Sequence, residues 1–178
     1  RQLASEETVK SYPVLSWNGA QVIFRTPGGL RIIDVDKRDG HSEPISGTGS
    51  NDYPAGSFLR DGTFSFTRVS ANTSGDTYVT SLSGGEPHVI LNTRFYEGGF
   101  QFSPPDARLV VFATDETGPM EVYVALASDP MAKSPVSAPN GGTQPLWARN
   151  GRELFYRRGD QMRVVSVSVQ GGAVKLSA

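Results

Sequence analysis

One pattern is written four times along this chain, and that constrains its fold more than any other feature. Residues 12–24 (YPVLSWNGAQVIF), 53–66 (YPAGSFLRDGTFSF), 98–112 (GGFQFSPPDARLVVF) and 142–156 (GTQPLWARNGRELFY) share one order of residue types. Each passes from small or apolar residues through an aromatic and a polar stretch to Asn/Asp-Gly or its variant. Each then enters a β-rich run that ends on an aromatic. Anchored on Asn18, Asp61, Asp106 and Asn150, the copies are spaced 43, 45 and 44 residues apart. A period in the low forties with hairpin chemistry inside every unit predicts propeller blades.

Within a unit the turn residues mark the strands. Asn-Gly between apolar runs specifies a tight hairpin, because both residues accept positive φ. Unit one gives an inner strand near residues 14–17, a second at 21–26, a third at 30–35 and a short fourth around 44–46. Units two to four repeat this, except that a longer turn is expected between residue 126 and Val136. Ala107 stands where the other copies have glycine, so that turn takes another type or carries strain. Residues 2–4 read as an outer strand, since nine residues separate Ala4 from Pro13, as they separate Ile45 from Pro54 and Val136 from Pro145. The expected blades are residues 11–50, 51–92, 95–138 and 141–178, with 1–10 an outer strand and linker from a preceding blade. Successive apolar residues, as in Leu109-Val110-Val111-Phe112, suit sheets covered on both faces rather than one. The fold class is therefore all-β: a β-propeller of four consecutive four-stranded antiparallel blades, part of a larger or oligomeric ring.

Bulk composition agrees. Twenty glycines and 12 prolines in 178 residues favour short strands and turns over helices. The net charge of −1, with both signs interspersed, offers no basic stripe for nucleic acid. No apolar run reaches the ~20 residues needed to cross a bilayer, so no membrane insertion of this piece is expected. The absence of cysteine excludes disulfides, a thiol nucleophile and thiolate metal sites.

At residues 100–128 (FQFSPPDARLVVFATDETGPMEVYVALAS) the chain resembles the F-S-P-D-G repeat of TolB-type propellers, also called WD-like β-propeller repeats. Residues 141–167 resemble repeats in the extracytoplasmic propellers of bacterial membrane-anchored Ser/Thr kinases. The resemblance spans essentially the whole chain. It departs at Pro105-Asp106-Ala107 and at Phe58-Leu59-Arg60. It implies a bacterial, periplasmic or extracytoplasmic binding module, or the propeller attached to a prolyl-oligopeptidase-like hydrolase.

Catalytic and metal chemistry find little support in the residues. The Asn/Asp-Gly pairs read as turns whose side chains bond local amides. Asp34, Asp36 and Asp39 lack the glycine and distal glutamate of a Ca²⁺ loop. Gly47-Thr48-Gly49 precedes no helix that could hold a phosphate. Residues 40–43 (GHSE) lack the second glycine of a nucleophile elbow. With His41 and His88 as the only histidines, neither a triad nor a zinc site is marked. We expect no catalytic residue, metal or cofactor. Asn72-Thr73-Ser74 fits a glycosylation acceptor. Trp17, Phe58, Phe102 and Trp147 are expected to recur at equivalent places on the inner strands and to pack between blades.

The residues that lead into the inner strands are the candidate site. Ser11-Tyr12, Asp52-Tyr53, Tyr96-Glu97 and Thr143-Gln144 should ring one mouth of the channel, with Tyr12, Asp52, Tyr53, Glu97 and Gln144 as ligand-binding residues. The expected partner is a protein or peptide, with homo-oligomerisation through the open blade ends as a further possibility.

Overall fold

The computed structural model describes residues 2–4, 8–37, 39–71, 74–83 and 85–177, with nothing stated of the Ser57 side chain. Sixteen strands and no helix occur among the described residues. The strands of the first unit are β1 (Ser11–Leu15), β2 (Gln21–Thr26), β3 (Gly29–Asp34) and β4 (Glu43–Pro44). The second has β5 (Asp52–Phe58), β6 (Thr63–Arg68), β7 (Asp76–Ser81) and β8 (His88–Leu91). The third has β9 (Glu97–Phe102), β10 (Leu109–Thr114), β11 (Glu121–Leu126) and β12 (Asp129–Pro135). The fourth has β13 (Thr143–Trp147), β14 (Glu153–Arg158), β15 (Gln161–Gln170) and β16 (Ala173–Ser177). Each set of four forms its own antiparallel meander.

The four anchor residues make one and the same turn. Oδ1 of Asn18 accepts from the amide of Ala20 at 3.0 Å, Asp61 from Thr63 at 2.9 Å, Asp106 from Arg108 at 3.2 Å and Asn150 from Arg152 at 2.9 Å. The next residue is left-handed in every copy: Gly19, Gly62, Ala107 and Gly151 have φ of 72°, 84°, 55° and 64°. Ala107 therefore keeps the turn geometry and bears the steric strain that glycine avoids.

Successive sheets stack face to face, and the core lies between them. Ile23, Leu30, Ile45, Phe64 and Phe66 fill the space between sheets one and two. Leu91, Phe100, Val110, Phe112 and Tyr123 fill the next, and Val111, Val124, Leu154, Tyr156 and Val167 the last. Ring stacks run across the seams' walls, as in Phe100–Phe112 (6.2 Å) and Phe112–Tyr123 (6.3 Å). Each fully buried Phe contributes about 1.5–3 kcal/mol of transfer free energy. Hydrogen bonds stitch neighbouring sheets together: Ser65 Oγ donates to the Phe100 carbonyl (2.9 Å) and Gln101 Nε2 to that of Pro145 (2.7 Å).

Several expectations are corrected. Residues 129–135 form strand β12 rather than a long turn, pairing with β11 from Tyr123↔Pro135 to Leu126↔Asp129. Inner strands begin two to three residues earlier than the apolar pattern suggests. Residues 2–4 are not a strand. Ala4 nevertheless buries against Val22, Phe24 and Ile33, as Ile45 and Leu91 bury in the seams that follow their own sheets. Trp17 does not share the place of Phe58, Phe102 and Trp147. Register puts Leu15 opposite Val22 just as Phe58 faces Phe64, Phe102 faces Val110 and Trp147 faces Leu154. Trp17 lies beyond the strand end and is 56% exposed, whereas Trp147 is 7% exposed.

Candidate functional site

Every inner strand is bulged near its start, and the bulge builds the near mouth of the channel. Pairing slips between Ser11 and Val14, Pro54 and Phe58, Gly98 and Gln101, and Thr143 and Leu146. Each slip holds one left-handed residue: Tyr12 (φ 53°), Gly56 (87°), Gly99 (66°) and Gln144 (53°). Two copies meet this demand with glycine. The other two impose it on a side chain that precedes proline, where extended backbone is preferred. An extra residue in one strand re-aims the neighbouring side chain. The sequence signal for these bulges was the glycine at residues 56 and 99.

Three tyrosines converge at this mouth. Tyr12, 57% exposed, meets Tyr53 edge to face with ring centres 5.3 Å apart and planes at 81°. The Arg25 guanidinium sits 4.5 Å over the other ring, Tyr53, and donates to the Ser50 carbonyl at 2.7 Å. Burial, with smaller contributions from the neighbouring Tyr12 and Tyr53, raises the Tyr96 hydroxyl pKa above its ordinary value. The Tyr96 ring lies over Gly98 and Gly75: a Cβ at Gly98 would stand 2.3 Å from the Tyr96 hydroxyl oxygen. Tyr96, a strand lead-in by sequence, is thus a third member of the tyrosine group.

The two acids at the same mouth serve the frame. Asp52 is 1% exposed, and Arg68 forks onto it with Nε–Oδ1 and Nη2–Oδ2 both at 2.8 Å. The Gly49 amide donates to Asp52 Oδ2 at 2.8 Å, and the hydrogen bond from Arg68 to Asp52 raises the Arg68 pKa. Glu97, 2% exposed, accepts from the Thr93 hydroxyl through Oε1, while its Oε2 has no hydrogen-bond partner. Burial pushes its pKa up, the Thr93 hydrogen bonds pull it back, and the Asp76 carboxylate adds to the rise. Neither acid presents a carboxylate to solvent. Gln144 is exposed, on the fourth sheet. The structure thus brings Tyr12, Tyr53 and Tyr96 together, withdraws Asp52 and Glu97 into the seams, and leaves Gln144 apart.

Elsewhere the sequence candidates take structural places. Residues 47–52 and 68–71 enclose a hollow of about 570 Å³. Its Arg68 is engaged by Asp52 and by the Gly47 carbonyl at 2.7 Å. Asp34 is held below the usual carboxylate range by the Gln21 amide and by Lys37, which also bridges to Glu43 at 3.3 Å. His41 and His88 are both exposed, His41 in the loop before β4 and His88 at the start of β8. No cluster of metal-ligating side chains occurs among the described residues. Asn72 and Thr73 lie outside the described residues. No helix of the structure is long and apolar enough to cross a membrane.

No protein-family model and no curated protein matches the sequence. Solved structures do match the fold. TolB from Acinetobacter baumannii superposes with a TM-score of 0.74 at 16% identity over 98% of this chain and 44% of its own. The β-propeller domain of the Trilobed protease from Pyrococcus furiosus gives 0.61 at 12% identity, over 96% of this chain and 57% of its own. A prolyl endopeptidase gives 0.65 at 17% identity, over 96% of this chain and 27% of its own. The chain spans less than half of the TolB structure. Its fold is that of a partial TolB-like β-propeller, four blades that match part of a longer chain in each of these structures.

Proposed function

We propose that the chain is a non-catalytic binding module that recognises a protein or peptide segment, or a small ligand, over the near mouth. The observation that carries this reading is the strained backbone of Tyr12, which holds a half-exposed aromatic against Tyr53, whose ring lies under the Arg25 guanidinium. Backbone strain at an exposed aromatic is the kind retained where a side chain must be presented. Tyrosine offers contact area and a hydroxyl at low entropic cost. A periplasmic or extracytoplasmic location fits the resemblance to TolB.

The test is a photocrosslinking amino acid at position 12 and, as a control, at Lys175 on β16. In extract, position 12 is expected to give one discrete adduct that position 175 does not. Identical backgrounds from both positions would remove the assignment.

The likeness to prolyl endopeptidase favours a second reading, in which this propeller gates a hydrolase domain. A downstream α/β segment carrying G-x-S-x-G in the complete reading frame would decide for it. We also assign the outward face of the fourth sheet to association. Leu146, Met162 and Val164 are 59%, 70% and 52% exposed there, so the chain is not expected to form a closed ring alone. A monodisperse monomer of high thermal stability in light scattering would contradict that.

A further inference from the structure

The far mouth, where the inner strands end, carries a second and chemically different feature. A cavity of about 590 Å³ opens there, within the size range of small-molecule sites. Phe58, Phe102 and Trp147, the final residues of three inner strands, form its apolar floor. Trp17, Arg60 and Arg149 also line it, each two residues past the end of its inner strand.

The charge is one-sided. Sixteen residues line the cavity and none is acidic, while two are arginines. The Arg60 guanidinium lies 4.5 Å over the Trp17 ring, which orients it without neutralising it. Arg149 is exposed and makes no ion pair among the described residues. Two unneutralised guanidiniums above an aromatic floor match a ligand with a flat apolar body and an anionic group.

We propose that the far mouth binds an aromatic carboxylate, the floor taking the ring and Arg60 and Arg149 taking the charge. Two sources share this chemistry: a free aryl carboxylate, and the C-terminal aromatic residue of a peptide. The site is independent of the tyrosine mouth, so either assignment can fail without the other.

The molecule contains its own reporter, because its two tryptophans, Trp17 and Trp147, both line this cavity. Titration with N-acetyl-L-phenylalanine should give a saturable change in tryptophan emission. The neutral N-acetyl-L-phenylalaninamide should bind at least about tenfold more weakly, as should the acid to Arg149→Gln or Arg60→Gln. Midpoints rather than amplitudes are compared, because Arg60 touches a reporter ring. Tyr12→Ala, at the opposite mouth, should leave the midpoint unchanged. Extending the probe to N-acetyl-Ala-Ala-Phe separates the sources: tighter binding assigns a peptide end, weaker binding a small molecule. Equal binding of acid and amide, a midpoint indifferent to both arginine substitutions, or no saturable response from the folded chain would overturn the proposal.

Discussion

Val124 and Val164 are the same residue at the same place in two copies of the repeat. Val124 faces Val111 on β10, and Val164 faces Phe155 on β14, at matching registers. Yet Val124 is fully buried and Val164 is 52% exposed. The contrast extends along the strands: five of the six residues of β11 are buried, but only Val167 of β15. Nothing local separates the two. The fourth sheet lies against the forward face of β11, and no described sheet lies against that of β15. A blade's core is thus built half by its own residues and half by its neighbour.

The largest test acts on the seam that makes the difference. A Cβ at Gly151 would stand 1.8 Å from the Pro104 carbonyl oxygen, on backbone that is already left-handed. Gly151→Val should destabilise by about 5 kcal/mol in urea unfolding and partly expose Val124, since the turn must withdraw from the third sheet. A neutral result would mean that sheets three and four do not meet there.

Next comes the pair itself. Val124→Ala should cost about 2–3 kcal/mol and Val164→Ala within about 0.5 kcal/mol, read from the same unfolding midpoints. Equal costs would show that a second sheet covers β15 in solution.

A third, smaller effect tests the seam between sheets two and three by pH. Burial raises the Glu97 pKa above its ordinary 4.5, so the native state holds this proton more tightly than the unfolded chain. Between those two pKa values the native state binds more protons, and stability falls as pH rises through the window. Glu97→Gln should remove that fall as pH rises above 4.5. An unchanged pH profile would place the carboxyl in contact with water.

The smallest effect concerns the one copy whose turn lacks glycine. Ala107→Gly relieves left-handed strain of about 1–2 kcal/mol but loosens the unfolded chain by somewhat less, for a net gain of about 0.5 kcal/mol. Loss of stability would show that the Ala107 methyl packs.

Much of the fold was legible because turn chemistry is local. Asn18, Asp61, Asp106 and Asn150 each bond an amide two residues on, and such a bond needs no tertiary partner. Trp17 was misplaced although its spacing gave notice. It stands immediately before its turn residue, whereas Phe58 and Trp147 stand three residues before theirs.

The candidate site was legible only in outline. Residue type marked Tyr12 and Tyr53 as mouth residues, but could not say that Asp52 would be claimed by Arg68 or that Glu97 would be sealed among the second and third sheets. Those outcomes depend on which sheet lies alongside, a long-range fact that no window of sequence contains.

The sequence by itself determined the number of modules, their turns and the direction of their strands, since backbone sterics and short-range hydrogen bonds act within a few residues. Tertiary structure alone decided which valine is core, which acid is frame and that two arginines line one cavity with three aromatic strand ends. Burial and desolvation belong to pairs of surfaces, and a surface acquires its partner only when the sheets stack.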